Sequence, residues 1–175
     1  MKNLIAIISG EPKSINSEII VKSWKALDKN IKKKIFLIGN YNLFKEQLKK
    51  IKIKTNLKKI FSIDKISVNN SLKILDVPLK YKSAFKVDKK DNALYIKKCL
   101  NLAHKLSINK KIGGFINAPI DKKFLNLNYL GVTEYLAKQN NLKSTEVMLI
   151  YNKNLSVSPV TTHLALRNVS KKINK

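Results

Sequence analysis

With 175 residues, 44% of them hydrophobic and 27% charged, the chain can form one domain with a proper core or a large piece of a two-domain enzyme. No apolar run approaches the ~20 residues of a membrane helix, no signal peptide is evident, and Cys99 is the single cysteine. A membrane partner, a disulfide framework and a cysteine metal cluster are therefore not expected, and a cytoplasmic location is. The net charge of +25 invites a nucleic-acid reading, but 35 of the 36 basic residues are lysine, and lysine, isoleucine and asparagine together make 77 of the 175 positions. That bias is the mark of an AT-rich coding sequence. Readers of bases and phosphates favour the planar arginine fork, so specific nucleic-acid binding is not expected, although polyanions should attract this chain at low salt.

In chain order, Lys2–Ile8 reads as a first buried strand that runs into the turn-rich loop Gly10-Glu11-Pro12-Lys13-Ser14-Ile15-Asn16. A helix follows from about Ser17, because Ile20, Trp24 and Leu27 recur at spacings of four and three. Lys34–Ile38, ended by Gly39, is a second buried strand, and Tyr41 to about Leu48 a short helix. Strand, helix, strand implies a βαβ unit and a parallel sheet. Lys59–Ile63 and Leu72–Leu75 read as short strands or edge segments. From Asp91, a plausible N-cap, a helix buries Tyr95, Cys99, Leu102 and Leu106 and turns His104 to solvent.

Ile112–Asn117 is a further strand, leaving through Ala118-Pro119-Ile120-Asp121-Lys122, where proline fixes the exit angle. Lys122 is either a contact for an anionic ligand or an ordinary solvated lysine. At Tyr129–Leu136 a turn leads into a helix with Thr133 placed as N-cap, serving either as a cap alone or beside a phosphate held by free backbone N–H groups. Glu146–Tyr151 and Leu155–Val160 read as adjacent strands joined by the turn Asn152-Lys153-Asn154, the second expected near the Phe115–Asn117 strand in the sheet. Past Val160 stand Thr161, Thr162, His163 and the single arginine, Arg167. Ligands gather beyond the carboxyl ends of strands in α/β proteins, and neutral imidazole is the commonest metal ligand. His163 is thus a candidate ligand, or else a packing residue behind two capping threonines.

Four segments in this order carry a resemblance. Gly10-Glu11-Pro12 with Ser17-Glu18-Ile19, Asn117-Ala118-Pro119-Ile120-Asp121-Lys122, Gly131-Val132-Thr133-Glu134 and Thr161-Thr162-His163-Leu164-Ala165-Leu166-Arg167-Asn168 resemble the 4-hydroxythreonine-4-phosphate dehydrogenase family of pyridoxal phosphate biosynthesis. The resemblance implies a mainly parallel α/β sheet with flanking helices, part of a two-domain fold like isocitrate and isopropylmalate dehydrogenases. It implies NAD or NADP as cofactor, a divalent metal (Zn, Mg or Co) bound by three histidines of which His163 matches the first, and a homodimer. Thr133 matches a substrate-binding residue beside a family histidine that is Val132 here. The implied reaction is NAD(P)-dependent oxidation and decarboxylation of 4-phosphooxy-threonine, with the metal acting as a Lewis acid.

Departures shape the expectation. The family pattern continues for about as long again past Arg167, so residues 1–175 read as the N-terminal portion of such an enzyme, inactive by themselves. The C-terminal half, with two more metal histidines, lies outside this sequence. Lys13–Ser17 replaces small residues and glycines of the family loop. Val132 keeps open a sister dehydrogenase acting on another phosphorylated hydroxy acid, such as a four-carbon sugar-acid phosphate. A non-enzymatic basic binding module is the alternative of another class.

Overall fold

The structure is a computed structural model that describes residues 4–64, 66, 70–125, 131–141, 146–161 and 164–173. It contains two compact units, Met1–Leu125 and Asn126–Lys175.

In the first unit, β1 (Ile5–Ile8), β2 (Ile35–Gly39), β3 (Leu57–Ile60), β4 (Leu72–Asp76) and β5 (Gly114–Asn117) form one sheet in the order β3-β4-β2-β1-β5. Every pairing is parallel, with Ile5 opposite both Ile35 and Gly114. Parallel neighbours need crossovers, and these are α1 (Asn16–Ala26) with the single-turn α2 (Lys29–Lys32), then α3 (Tyr41–Lys50) and α4 (Lys89–Ile108). Side chains alternate along a strand. Ile35 and Leu37 of β2 and Leu72 and Ile74 of β4 therefore meet Ile20, Val21 and Trp24 of α1 and Phe44 and Leu48 of α3 on one face. Phe36 and Ile38, both fully buried, point to the other, where α4 lies against β1, β2 and β5. Strands covered on both faces read as continuous apolar runs, as β1 and β2 do.

The helices follow their sequence signals closely. Asn40 caps α3, its Oδ1 accepting from Leu43 N at 2.9 Å, and Asp28 caps α2 through Asn30 N and Ile31 N. Those amide donors hold the Asp28 carboxyl below its usual range. Leu72–Leu75, read as a short strand or an edge segment, is a strand, and an inner one between β3 and β2. Two expectations change. Helix α4 begins at Lys89 after extended Asp88, so Asp91 sits in the first turn, where its charge suits the helix dipole, rather than at the cap. His104 is not a solvated ring: it follows buried Ala103 at the flank of the packed stripe, and its Nε2 is shielded from solvent.

The second unit holds α5 (Val132–Gln139), the antiparallel pair β6 (Ile150–Tyr151) and β7 (Ser156–Val157), and a 3-10 turn at Leu166–Asn168. The two strands are adjacent and joined by the expected turn, closed by Asn152 N to Leu155 O at 2.9 Å, but each is two residues long where Glu146–Tyr151 and Leu155–Val160 were expected. Among the described residues, Val157–Val160 and Phe115–Asn117, expected as neighbouring strands, do not pair in one sheet. β5 pairs with β1, whereas β7 pairs with β6 in a sheet of its own. A tight turn can only join antiparallel strands, and Pro159 has no N–H with which to prolong a ladder.

Candidate functional site

The polar residues of the first unit collect beyond the carboxyl ends of β1, β2, β4 and β5. The loop after β1 turns at Gly10, whose φ of +69° is left-handed. A Cβ there would stand 2.6 Å from the Pro119 carbonyl oxygen, so the tight approach of two loops requires glycine. Asn16, the first residue of α1, fastens these loops. Its Nδ2 donates to Pro119 O at 2.9 Å and to Ser9 O at 3.1 Å, and Glu11 N donates to Pro119 O at 3.2 Å. Gln47 Nε2 reaches Pro12 O and Ala84 O, each at 2.7 Å. The space among Ser9, Asn16, Ser17, Asn40, Gln47 and Tyr95 is only about 10 Å³, room for one water at most. Asn16 thus closes a crevice that in many α/β proteins admits a ligand.

Tyr95 sits beneath this network. Its Oη lies 2.7 Å from Ser9 Oγ and accepts from Asn40 N at 2.8 Å. Complete burial raises its pKa well above the usual tyrosine range, so it remains a neutral hydroxyl. Burial likewise pushes the Cys99 thiol up to about 12, which makes it an inert core residue. Asp76, at the end of β4, accepts from Tyr41 N at 2.8 Å and pairs with Lys59 at 2.8 Å.

A cavity of about 250 Å³ opens beside Tyr95, lined by Pro78, Leu79 and Lys80 after β4 and by Asp91, Leu94 and Lys98 of α4. Two lysines at the carboxyl edge suit the anionic part of a ligand. A larger cavity, about 540 Å³, lies between α3 and the 53–57 segment that leads into β3. It is at the amino end of that strand, the side of a parallel sheet where ligands are not expected.

Lys122 opens the 3-10 turn Lys122–Phe124, capped by Asp121 through Lys123 N at 3.0 Å, and its side chain is exposed three residues past Pro119. Thr133 belongs to the second unit. It is the second residue of α5 and exposed, but it is not the cap: the helix starts at Val132, and extended Gly131 occupies the cap position without a side-chain hydrogen bond. Val132, at the head of the same helix, is half-buried. His163 lies outside the described residues. Among the described residues no three of His, Cys, Asp and Glu come together as metal ligands, so the described chain does not make a complete metal site. Asn16 and Gln47 were not singled out in the sequence. A buried amide leaves no periodic signal, and only its place directly after the Gly-Glu-Pro loop could have drawn attention to it.

A parallel sheet with helices on both faces makes this an open α/β protein, a class in which ligands bind beyond the carboxyl ends of the strands. Residues 31–175 match the family model described as pyridoxal phosphate biosynthetic protein PdxA, and the chain belongs to that family. It is 29% identical over 177 residues to the 4-hydroxythreonine-4-phosphate dehydrogenase of Sulfurihydrogenibium sp. (strain YO3AOP1), covering 98% of this chain and 53% of the relative. It is 28% identical to the putative D-threonate 4-phosphate dehydrogenase of Fusobacterium nucleatum, covering 100% of this chain and 54% of that protein. The crystal structure of 4-hydroxythreonine-4-phosphate dehydrogenase from Klebsiella pneumoniae superposes with a TM-score of 0.85 at 25% identity, over 99% of this chain and 54% of that one. The chain therefore spans about half the length of the relatives it matches, and over that half it has their fold.

Proposed function

We propose that this chain supplies one half of an NAD(P)-dependent dehydrogenase that oxidises 4-phosphooxy-threonine and releases carbon dioxide from the β-keto acid formed. The observation that carries this reading is the family match over residues 31–175, whose relatives named above are dehydrogenases of phosphorylated four-carbon acids. In this reading Thr133 and the head of α5 receive the substrate phosphate, where helix geometry turns backbone N–H groups toward an anion. Lys122 adds positive charge at the carboxyl edge. His163 is one ligand of the divalent metal (Zn, Mg or Co). The remaining ligands are not found among the described residues. The cofactor is NAD or NADP, the assembly a homodimer, and the setting cytoplasmic, without a specific nucleic-acid partner or a membrane partner.

A second reading has its own support. The Fusobacterium relative is named for D-threonate 4-phosphate, and Val132 stands where the family resemblance places a histidine. A valine cannot hydrogen-bond a polar substituent, so the substrate group it faces would differ between the two readings. The test is a fusion of this chain to the part of the Sulfurihydrogenibium relative beyond the aligned region, assayed for nicotinamide reduction with each phosphorylated acid. The leading reading expects turnover with 4-phosphooxy-threonine that His163→Ala abolishes without loss of fold. Turnover with D-threonate 4-phosphate alone would establish the second reading, and turnover unaffected by His163→Ala would refute the metal role.

A further inference from the structure

We infer that Asn16 is a positioning residue: its amide clasps the carboxyl ends of β1 and β5 and thereby fixes the turn that carries Lys122. The inference rests on the reading above, in which Lys122 adds positive charge for a phosphorylated substrate.

Asn16 is 2% exposed and starts α1, yet its side chain reaches back from the helix to two strand ends. Its Nδ2 carries two hydrogens, and two carbonyls take them: Ser9 O at 3.1 Å, just past β1, and Pro119 O at 2.9 Å, two residues past β5. β1 and β5 are neighbours, with Ile8 opposite Asn117, so one side chain joins the exits of an adjacent pair. Because both acceptors are carbonyls, the end of the amide facing them must be the nitrogen. The other end, Oδ1, is buried and meets no donor among the described residues. A buried acceptor left unpaired weakens a fold, so stability alone does not select this residue. Local breaks of that kind gather at functional sites.

The clasp bears on Lys122 because few polar contacts hold its turn. From Pro119 to Leu125, the hydrogen bonds that tie this stretch to the rest of the unit, among the described residues, end on one atom. That atom is the Pro119 carbonyl oxygen, which accepts from Asn16 Nδ2 and from Glu11 N at 3.2 Å. The others are internal to the turn: Lys123 N to Asp121 Oδ1, Phe124 N to Asp121 O and Leu125 N to Lys122 O, each at 3.0 Å. Beyond Lys122 the turn lies against α4, and Leu125 is fully enclosed. Apolar packing therefore anchors the far end of the turn and Asn16 the near end, with exposed Lys122 between them. Releasing Pro119 frees one of the two anchors.

Two measurements test this. In the chain itself, Asn16→Ala should speed hydrogen exchange of the Glu11 and Leu125 amides by at least about fivefold, with β2 unchanged and the circular dichroism kept. Should that variant lose its fold, Asn16→Ser, too short to reach both carbonyls, is read in its place. In the fusion described above, with whichever phosphorylated acid it turns over, Lys122→Ala should raise KM about tenfold. Asn16→Ala should raise it about fivefold, each with kcat within about twofold of the parent. Combined with Lys122→Ala, Asn16→Ala should raise KM no further, because a residue acting through Lys122 then has nothing left to position. Unchanged exchange at Glu11 and Leu125 would overturn the inference. So would a parental KM in Asn16→Ala, or two KM effects that multiply, as a residue bracing the fold in general would give. A silent Lys122→Ala removes Lys122 from the reading above and the inference with it, whereas a strong Lys122 effect that multiplies with that of Asn16 overturns the inference alone. A fusion without turnover counts against the proposed reaction, and the exchange result then decides the role of Asn16.

Discussion

The two units of this chain come from one sequence of nearly uniform composition but solve the burial problem differently. In the first, β2 is buried at all five positions, and Phe36, Leu37 and Ile38 are completely enclosed between α1 and α3 on one side and α4 on the other. In the second, the buried apolar residues among those described are Tyr135 and Ala137, both on α5, while the hairpin is exposed throughout. Apolar content does not separate them; what separates them is whether a second layer lies over each apolar face. The first unit supplies its own layers through crossover helices. In the second, the described residues lay no such layer over the hairpin.

That contrast can be broken by mutation. The largest effect is expected at Phe36→Ala, which should cost about 4 kcal/mol by removing an aromatic ring from between two layers, whereas Ile150→Ala should change stability by no more than about 0.5 kcal/mol. Urea unfolding of both variants measures the difference, and equal losses would mean the hairpin is as integral as the sheet. Next is Gly10→Ala, expected to cost about 2 kcal/mol because it combines a left-handed backbone with a Cβ against the Pro119 carbonyl. Removing Asn16 instead, which leaves the glycine turn intact, should loosen the same junction by less.

A smaller effect with a distinctive pH dependence is expected at Lys73. This side chain is fully buried in β4, and burial, aided by the neighbouring Lys58, holds its pKa below the usual 10.5. The folded state therefore binds the Lys73 proton less readily than the unfolded state. Its penalty on stability is complete at neutral pH and is relieved as pH rises through the folded pKa toward 10.5. Lys73→Met should remove this pH dependence, so that the stability of the variant relative to the parent falls as the pH is raised through the folded pKa. Thermal melts of both proteins across pH provide the check, and a relative stability that rises with pH would contradict the assigned burial.

The smallest stability effect is expected at Thr133→Ala, within about 0.5 kcal/mol, since Thr133 is exposed and Gly131 holds the cap position. In a full-length fusion the same change should raise KM for the phosphorylated substrate by about tenfold, consistent with loss of a hydroxyl contact. An unchanged KM would remove Thr133 from the site.

Legibility in the sequence follows the same division. β1, α1, β2 and α3 were readable because period and punctuation agree: Ile20 and Trp24 recur at helical spacing, and Gly39 and Asn40 mark a strand end and a helix cap. β4 was readable as a short strand but not as an inner one, since its apolar run contains Lys73 and nothing local signals that a lysine is buried. The hairpin turn at Asn152–Asn154 was readable, but its partner sheet was not, since an apolar run reports that a strand wants covering and not what covers it. The candidate site divides likewise. The segments around Lys122, Thr133 and His163 were recognisable from residue type and order, whereas the closure of the first-loop crevice by Asn16 depends on a contact with Pro119, 103 residues away. Thr133 was misplaced at the cap because threonine is a good cap former, but extended Gly131, two positions earlier, holds the cap and the helix starts at Val132.

The central claim is that the first unit encloses its strands between layers while the hairpin of the second lies open. Native-state hydrogen exchange on the isolated chain tests it most directly. The amides of β1, β2 and β4 should exchange at least about a thousandfold more slowly than an unstructured peptide, and those of Ile150–Val157 within about tenfold of it. Protection of the hairpin equal to that of β2 in the monomeric chain would contradict the claim.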